Sequence, residues 1–238
     1  MLSWLFPSTC ELCGESAELT ICPGCLSHLP RIPAPICLHC GAPTAGQQTD
    51  PDRCDNCSGL PRTFSFARQA LRQTDDVMRL IYALKYHHAL HLVQPLALLL
   101  HELWEKTPHL REHQDWVLVP VPVTPGKLYT RGFNQAAELA QALARLRGLK
   151  MMELLDRRDT GVLSQTRLTA NARRLNAMRA YRCKSPSFFF RRRQFPARIV
   201  LVDDVFTTGS TARACATQLR KLPGVKEVAA IALVRIGA

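Results

Sequence analysis

One stretch organises the chain: residues 199–211 read Ile-Val-Leu-Val-Asp-Asp-Val-Phe-Thr-Thr-Gly-Ser-Thr. Its four leading aliphatic residues predict a strand covered on both faces, as in a parallel sheet with helices above and below. The acidic pair, Asp203 and Asp204, then lies at the carboxyl end of that strand. Ligands bind at this edge in open α/β sheets. The stretch therefore predicts an α/β fold with a ligand site at the sheet edge.

The turn after the acidic pair suits a phosphate group. Residues 207–211 carry four hydroxyl side chains and one glycine, and residues 212–222 are predicted to form a helix. Backbone N–H groups, hydroxyls and a helix N-terminus would point at one spot, which favours an anion. Gly209 has no side chain where the backbone must approach a ligand. The alternative is a plain strand-to-helix turn in which one aspartate caps the helix.

This pattern resembles the loop of type I phosphoribosyltransferases that holds 5-phosphoribosyl-1-pyrophosphate (PRPP). The resemblance implies that Asp203 and Asp204 are the catalytic carboxylates, which accept hydrogen bonds from the ribose hydroxyls. Mg²⁺ would accompany PRPP, held mainly by substrate oxygens and water. The remaining PRPP-binding residues implied at this loop are Val202, Thr207, Thr208, Gly209, Ser210 and Thr211.

The length and the charge distribution of the chain limit the number of domains and the kinds of ligand that it can bind. The 238 residues suffice for one domain of ordinary size and a small appendage. The formal net charge of +12 is uneven, because residues 1–60 carry two basic and six acidic side chains and the remainder carries 29 and 13. The basic part suits a polyanion such as PRPP or nucleic acid, or it is a solvated surface. No apolar stretch approaches ~20 residues, so we expect a cytoplasmic protein without membrane insertion.

Eight of the ten cysteines form four identically spaced Cys-x2-Cys pairs. Two such pairs supply the four thiolates of a tetrahedral site, so the pattern predicts one or two structural Zn²⁺ ions. Sequential pairing, interleaved pairing and partial loading all remain open. We expect a double zinc ribbon over residues 1–60 and the α/β body over residues 61–238. The predicted ligands are Cys10, Cys13, Cys22, Cys25, Cys37, Cys40, Cys54 and Cys57.

A structural clip is the favoured interpretation of this cysteine-rich head. The head is acidic, and thiolates around each Zn²⁺ add negative charge, so it does not suit unaided binding to phosphates. Contact with nucleic acid or protein is the alternative. The nearby histidines His28 and His39 are not needed as ligands, because the cysteines suffice.

Two motifs in the α/β body indicate a more specific family than the type I phosphoribosyltransferases. Residues 116–122 predict a strand that ends in Val-Pro-Val-Pro, and Arg-Gly-Phe-Asn-Gln at residues 131–135 precedes a helix that runs to about residue 147. With the cysteine pairs, these motifs are similar to the signature of the ComF/GntX family. That resemblance implies a type I phosphoribosyltransferase-like, mostly parallel sheet flanked by helices. It also implies that Lys127 and Arg131, in the loop predicted after this strand, contact pyrophosphate; the alternative is that they are surface residues of that loop. It further implies a link to external DNA through competence or nutrition.

Residues 157–181 match a ComF-type segment through Gln165, Leu168, Arg173 and Asn176, although Thr169-Ala170 replaces its Ser-Arg. In the wider superfamily this region is a flap that closes over PRPP, which implies an anion contact for Arg173. The basic and aromatic run at residues 188–193 is either a single-stranded nucleic-acid contact or an exposed loop.

The other predicted elements are strands at residues 64–71, 151–155 and 227–234, and helices at residues 74–86 and 92–104. The histidines at residues 87, 88 and 91 are interpreted as a surface cluster at a helix end rather than a metal site.

Three hypotheses for function remain at this point. The first is an enzyme that transfers the phosphoribosyl group of PRPP to an acceptor that the sequence does not reveal. The second is a non-catalytic sensor of PRPP or a nucleotide, or a partner of DNA-processing proteins. The third is a zinc-ribbon factor that binds single-stranded nucleic acid.

Overall fold

The computed structural model describes residues 9–44, 50, 52, 54–158, 180–184 and 195–237. The proposed flap with Arg173 and the basic run at residues 188–193 lie outside the described residues.

A five-stranded sheet forms the centre of the body, and all of its neighbouring strands are parallel. A short antiparallel pair lies apart from it. The strands are β1 (Ala67–Arg72), β2 (Trp116–Pro120), β3 (Lys150–Met151), β4 (Leu155–Arg157), β5 (Tyr181–Cys183), β6 (Arg198–Phe206) and β7 (Glu227–Arg235). The order in the main sheet is β1-β7-β6-β2-β3, and β4 pairs with β5. The predicted α/β fold with a mostly parallel sheet is confirmed.

Helices cover both faces of this sheet. The helices of the described residues are α1 (Pro23–His28) in the cysteine-rich head, α2 (Asp75–Tyr86), α3 (Val93–Glu105), α4 (Pro108–Glu112), α5 (Pro125–Arg131), α6 (Gln135–Arg147) and α7 (Ser210–Leu219), with a 3-10 turn at Leu90–Leu92. One face packs against α2, α3 and α6, and the other packs against α7. Successive residues of β6 alternate between these two cores: Val200 and Val202 face the first, and Ile199 and Leu201 face the second.

The helix predicted at residues 74–86 forms as its sequence indicates. The Thr74 hydroxyl accepts a hydrogen bond from the Val77 amide at 3.4 Å, and Asp75 and Asp76 lie in the first turn. A hydroxyl cap and carboxylates both compensate the unpaired amides at a helix N-terminus. The core-facing side chains of α2 include Val77 and Ile81.

Strand β6 is longer than its apolar run predicts. It pairs with β2 only as far as Pro120↔Val202, whereas β7 stays paired with it as far as Phe206↔Arg235. The Val121 amide makes the last link on the β2 side, to the Val202 carbonyl at 2.9 Å. Prolines on either side of Val121 have no amide hydrogen to continue the ladder. The acidic pair thus lies inside β6, beyond the end of β2, where no other strand of the described residues pairs with this edge.

The single strand predicted at residues 151–155 is instead two strands in different sheets. The Met152 amide still bonds the Leu118 carbonyl at 2.9 Å, after which the chain leaves the main sheet. Leu155 then begins β4, which is antiparallel to β5. A second difference is α5, since the sequence predicted a loop where Lys127 and Arg131 lie on a helix.

The cysteine-rich head covers the outer edge of the sheet. The Ala67 amide of β1 donates to the His39 carbonyl at 2.6 Å, and the Arg72 amide donates to the Pro30 carbonyl at 2.8 Å. These bonds satisfy amides of an edge strand that otherwise invites pairing with another chain. Over the residues described, the longest apolar helices are too short or too polar to cross a bilayer.

Candidate functional site

The turn between β6 and α7 leaves its hydroxyl side exposed. Thr207 and Thr208 are exposed, and α7 begins at Ser210 after a left-handed Gly209 with φ of +74°. Under the turn is a cavity of about 20 Å³, whose walls include Asp203, Thr207 and Thr211. Such a volume holds one water molecule. A ribose phosphate does not fit in this cavity.

The two aspartates point to opposite faces of the sheet, as successive residues of a strand must. Asp203 is half-buried on the α7 side, and its Oδ1 accepts a hydrogen bond from the Asp204 amide at 2.9 Å. Asp204 is 4% exposed on the other side. The Lys85 ammonium contacts Oδ2 of Asp204, and the Gln135 amide donates to Oδ1 at 3.4 Å. The acidic pair is therefore one half-buried carboxylate and one buried, paired carboxylate.

Arg131 lies near this buried carboxylate rather than on an open loop. Its guanidinium donates to Oε1 of Gln135 at 3.2 Å and lies 4.9 Å from the centre of the Tyr86 ring. Only 9% of the residue is exposed. Lys127 is exposed in the first turn of α5. The structure thus brings Arg131 to Asp204 through Gln135.

Sequence reasoning missed Lys85, although a signal was present. Lys85 continues the i, i+4 spacing of Val77 and Ile81, so it extends the buried stripe of α2. A charged residue on such a stripe needs a partner of opposite charge, because an unpaired buried charge is costly. That partner is Asp204.

Tyr181 packs the β4–β5 pair against α7. It is 4% exposed and lies in the same buried core as Ala212 and Cys215 of α7. Burial raises the pKa of Tyr181 to about 12, so it stays protonated at neutral pH. The guanidinium of Arg157, its register partner, lies 5.2 Å from the ring centre. Arg157 and Tyr181 are the first and last residues of the proposed flap, so the two ends of that segment lie side by side next to α7.

A cleft of about 730 Å³ opens at the carboxyl end of β2. Pro120 and Pro122 form part of one wall, and Glu138 of α6 contributes to another. Its basic lining residues are Arg157, Arg158, Arg182 and Lys184. Two of these cations are paired, Lys184 with Glu153 at 2.7 Å and Arg182 with Asp156 at 3.6 Å.

The environment of Asp203 disfavours its ionised form. Burial and then the neighbouring Asp204 carboxylate raise the pKa of Asp203 well above its ordinary value. A carboxyl group whose pKa is higher in the folded state than in the unfolded state destabilises the fold when it is ionised. The destabilisation is full above the folded-state pKa and disappears as the pH falls towards about 3.9, the ordinary value for aspartate.

We therefore expect Asp203→Asn to raise the melting temperature at pH 8. A gain of about 2–4 °C corresponds to roughly 1 kcal/mol in a chain of this size. The asparagine carbonyl can still accept the Asp204 amide, so the native hydrogen bond is kept. Thermal unfolding from pH 4 to pH 8 measures the effect, and the advantage should vanish near pH 4. Asp115→Asn is the control, because Asp115 is exposed and paired with Arg198. A gain that is constant over this pH range would contradict the assignment.

The eight paired cysteines form two separate four-thiol clusters. Within each cluster the sulfurs lie within 4.8 Å of one another. The Cys13 and Cys22 sulfurs are 3.9 Å apart, and those of Cys40 and Cys54 are 3.8 Å apart. Zn–S bonds of ~2.3 Å in a tetrahedron imply sulfur separations of roughly 3.8 Å. Both donor sets therefore fit structural zinc. Sequential pairing is confirmed and interleaved pairing is wrong.

The two clusters have different surroundings. The first cluster (Cys10, Cys13, Cys22 and Cys25) lies beside α2, where Arg79 donates to the Glu11 carbonyl at 3.0 Å. Nε2 of His91 lies 2.8 Å from the Glu11 carboxylate, so this histidine contacts the head. The second cluster (Cys37, Cys40, Cys54 and Cys57) is fully buried in the core that α7 shares.

Comparison with known proteins supports the double zinc ribbon and identifies relatives of the whole chain. The family model described as a double zinc ribbon domain matches residues 1–58. The chain is 30% identical to competence protein F of Haemophilus influenzae over 92% of both chains. It is 29% identical to the DNA utilization protein YhgH of Salmonella typhi, over 86% of this chain and 87% of that one. Competence protein ComFC of Streptococcus pneumoniae is 28% identical over 53% of this chain and 51% of its own length.

Proposed function

The chain belongs to the ComF/GntX family, and on that premise we propose that it is a PRPP-binding, phosphoribosyltransferase-like protein that acts in the handling of external DNA. One observation carries the PRPP assignment. Asp203 and the turn at residues 207–211 lie together at the end of β6 that extends beyond β2. The names of the relatives, competence protein F and DNA utilization protein, support the link to DNA.

In this proposal the turn binds the 5′-phosphate through backbone N–H groups and the hydroxyls of Thr207, Thr208, Ser210 and Thr211. Asp203 accepts a hydrogen bond from a ribose hydroxyl. Asp204, fixed by Lys85 and Gln135, supplies the second carboxylate of the pair. Lys127, Arg131 and Arg173 supply positive charge for the pyrophosphate. Mg²⁺ bound to the substrate would neutralise part of the polyphosphate charge.

The corresponding reaction is transfer of the phosphoribosyl group. The bond between C1 of the ribose and pyrophosphate breaks, the electron pair leaves with pyrophosphate, and a nucleophile on the acceptor forms the new bond to C1. The positive charge that develops on the ribose requires that water be excluded and the reactants be aligned. The half-buried position of Asp203 next to the turn supports its proposed role in aligning the ribose.

We expect calorimetry to detect binding of Mg²⁺-PRPP to the wild-type protein. Asp203→Ala should weaken it by about 10- to 100-fold, because a hydrogen bond to a charged group contributes about 1.5–3 kcal/mol. Asp115→Ala is the matched control, since this aspartate pairs with Arg198 at the opposite end of β6. Undetectable wild-type binding would remove the PRPP assignment, and equal affinities for the two variants would remove the role of Asp203.

Release of pyrophosphate distinguishes an enzyme from a sensor. A transferase releases pyrophosphate from PRPP when its acceptor is present, whereas a sensor binds PRPP without turnover. Nucleobases and single-stranded DNA are the acceptors to screen. The cleft beside β2 is lined by four basic and three acidic residues, so its charge alone does not choose between these acceptors.

A further inference from the structure

Arg213 links the phosphate turn to the second cysteine cluster. The residue is 7% exposed on α7. One guanidinium nitrogen, Nη1, donates to the Thr208 carbonyl in the turn at 2.5 Å. The other, Nη2, donates to the Asn56 carbonyl at 3.2 Å, and Asn56 lies between the ligands Cys54 and Cys57. A rigid planar guanidinium holds two such acceptors in a fixed relation.

Stacked aromatic rings form a second connection between the second cysteine cluster and the turn at residues 207–211. The ring of His39, which lies between Cys37 and Cys40, is parallel to Phe64 with centres 4.4 Å apart. Phe64 meets Phe206 edge to face at 6.4 Å. Phe206 is the last residue of β6 before the turn. The stacked rings therefore run from the second cluster to the residue that immediately precedes the turn.

A third connection comes from β7. Arg235 is 1% exposed, and its Nη1 donates to the Cys40 carbonyl at 2.9 Å. Its Nη2 lies 3.8 Å from the Cys40 sulfur. The same guanidinium lies 5.4 Å from the centre of the Phe206 ring. Arg213, the stacked rings and Arg235 thus join the second cluster to the residues that shape the turn, the last two through Phe206.

The first cluster offers an internal contrast. Its cysteines pack against the core that contains α2 and α3, whereas the second cluster packs against the core that contains α7. The contacts of the first cluster described above end on α2 and on His91. Loss of the first cluster should therefore leave the turn in place.

We propose that the second cysteine cluster, with Arg213 as the positioning residue, holds the turn at residues 207–211 in its anion-binding conformation. The phosphate role of this turn rests on the proposed function, whereas the mechanical link does not. Metal loaded on the second cluster fixes the Asn56 carbonyl and the His39 ring, and through them the turn. The first cluster fastens the head to the helices and has no part in shaping the turn.

Hydrogen exchange measured by mass spectrometry tests the link without any ligand. Four proteins are compared after metal analysis: wild type, Arg213→Lys, Cys57→Ser and Cys13→Ser. Arg213→Lys keeps the positive charge but cannot donate to the Thr208 and Asn56 carbonyls at the same time. The variant should therefore retain two Zn²⁺ but exchange its amide hydrogens about tenfold faster over residues 206–212. Cys57→Ser should show the same local increase. Cys13→Ser disrupts only the first cluster and should match the wild type over this segment.

Equal exchange at the turn in wild type and Arg213→Lys would overturn the proposal, as would a matching increase in Cys13→Ser. If Cys57→Ser loses protection throughout β7, it has unfolded, and Arg213→Lys decides the question. A second experiment titrates each protein with Mg²⁺-PRPP, and Arg213→Lys should bind this ligand about tenfold more weakly than the wild type. Absence of wild-type PRPP binding would defeat the proposed function alone, because the exchange result does not depend on it.

Discussion

Lys85→Met should lower the free energy of unfolding by about 3 kcal/mol, which is roughly 6–12 °C in melting temperature. Methionine preserves the apolar stem of the lysine but removes its charge. Asp204 is 4% exposed and would keep a buried carboxylate without its cation. Removing one partner of a buried ion pair costs far more than the pair contributes, because the remaining charge is unsolvated.

A double-mutant cycle tests this origin of the loss. Lys85→Met combined with Asp204→Asn should recover most of the stability, because the second change removes the stranded charge and leaves an amide beside Gln135. Lys106→Met is the surface control, since Lys106 is 67% exposed in its pair with Glu102. Exposed pairs contribute about 0–1 kcal/mol. Equal losses for Lys85→Met and Lys106→Met, or no recovery in the double variant, would contradict the burial argument.

The ion pair also marks the limit of what the sequence predicts. Local patterns predicted the order of strand, turn and helix, because β-branched residues, glycine and the helix start act over a few positions. They did not predict the bounds: β6 runs on to Phe206, and α7 spans Ser210–Leu219 rather than residues 212–222. Lys85 and Asp204 are far apart in the chain, so only packing of α2 on the sheet brings them together. For the same reason Arg131, predicted as a loop cation, lies over the Tyr86 ring.

The cysteines also show which features follow from local sequence and which depend on the folded structure. Their two-residue spacing predicts the knuckles and the metal from ligand reach alone. Which knuckles share an ion depends on how the head folds, and the spacing left sequential and interleaved pairing open. The structure settles the pairing through sulfur separations inside each cluster. No local pattern indicated the contact between Asn56 and Arg213, because this contact forms only when the head packs against α7.

Gly209→Ala should abolish measurable PRPP binding, with a loss of at least about 100-fold, or roughly 2.7 kcal/mol. Gly209 has φ of +74°, which costs an L-residue roughly 1–2 kcal/mol. An added Cβ would also lie 2.7 Å from Cζ of Phe206 and 3.2 Å from Nη1 of Arg213. Phe206 is held by Phe64 and Arg235, so the ring cannot move aside freely. The turn must shift instead, and its amides and hydroxyls lose their common focus.

Gly148→Ala separates the two causes. Gly148 ends α6 with φ of +65°, and a Cβ there would meet no atom within 4 Å. This control carries the backbone strain without the clash, so it should lower stability by roughly 1 kcal/mol and leave PRPP affinity unchanged. Thermal unfolding and calorimetry on both variants measure the difference. If Gly209→Ala bound PRPP as tightly as Gly148→Ala, the ligand could not depend on the conformation of this turn, and the phosphate assignment would be wrong.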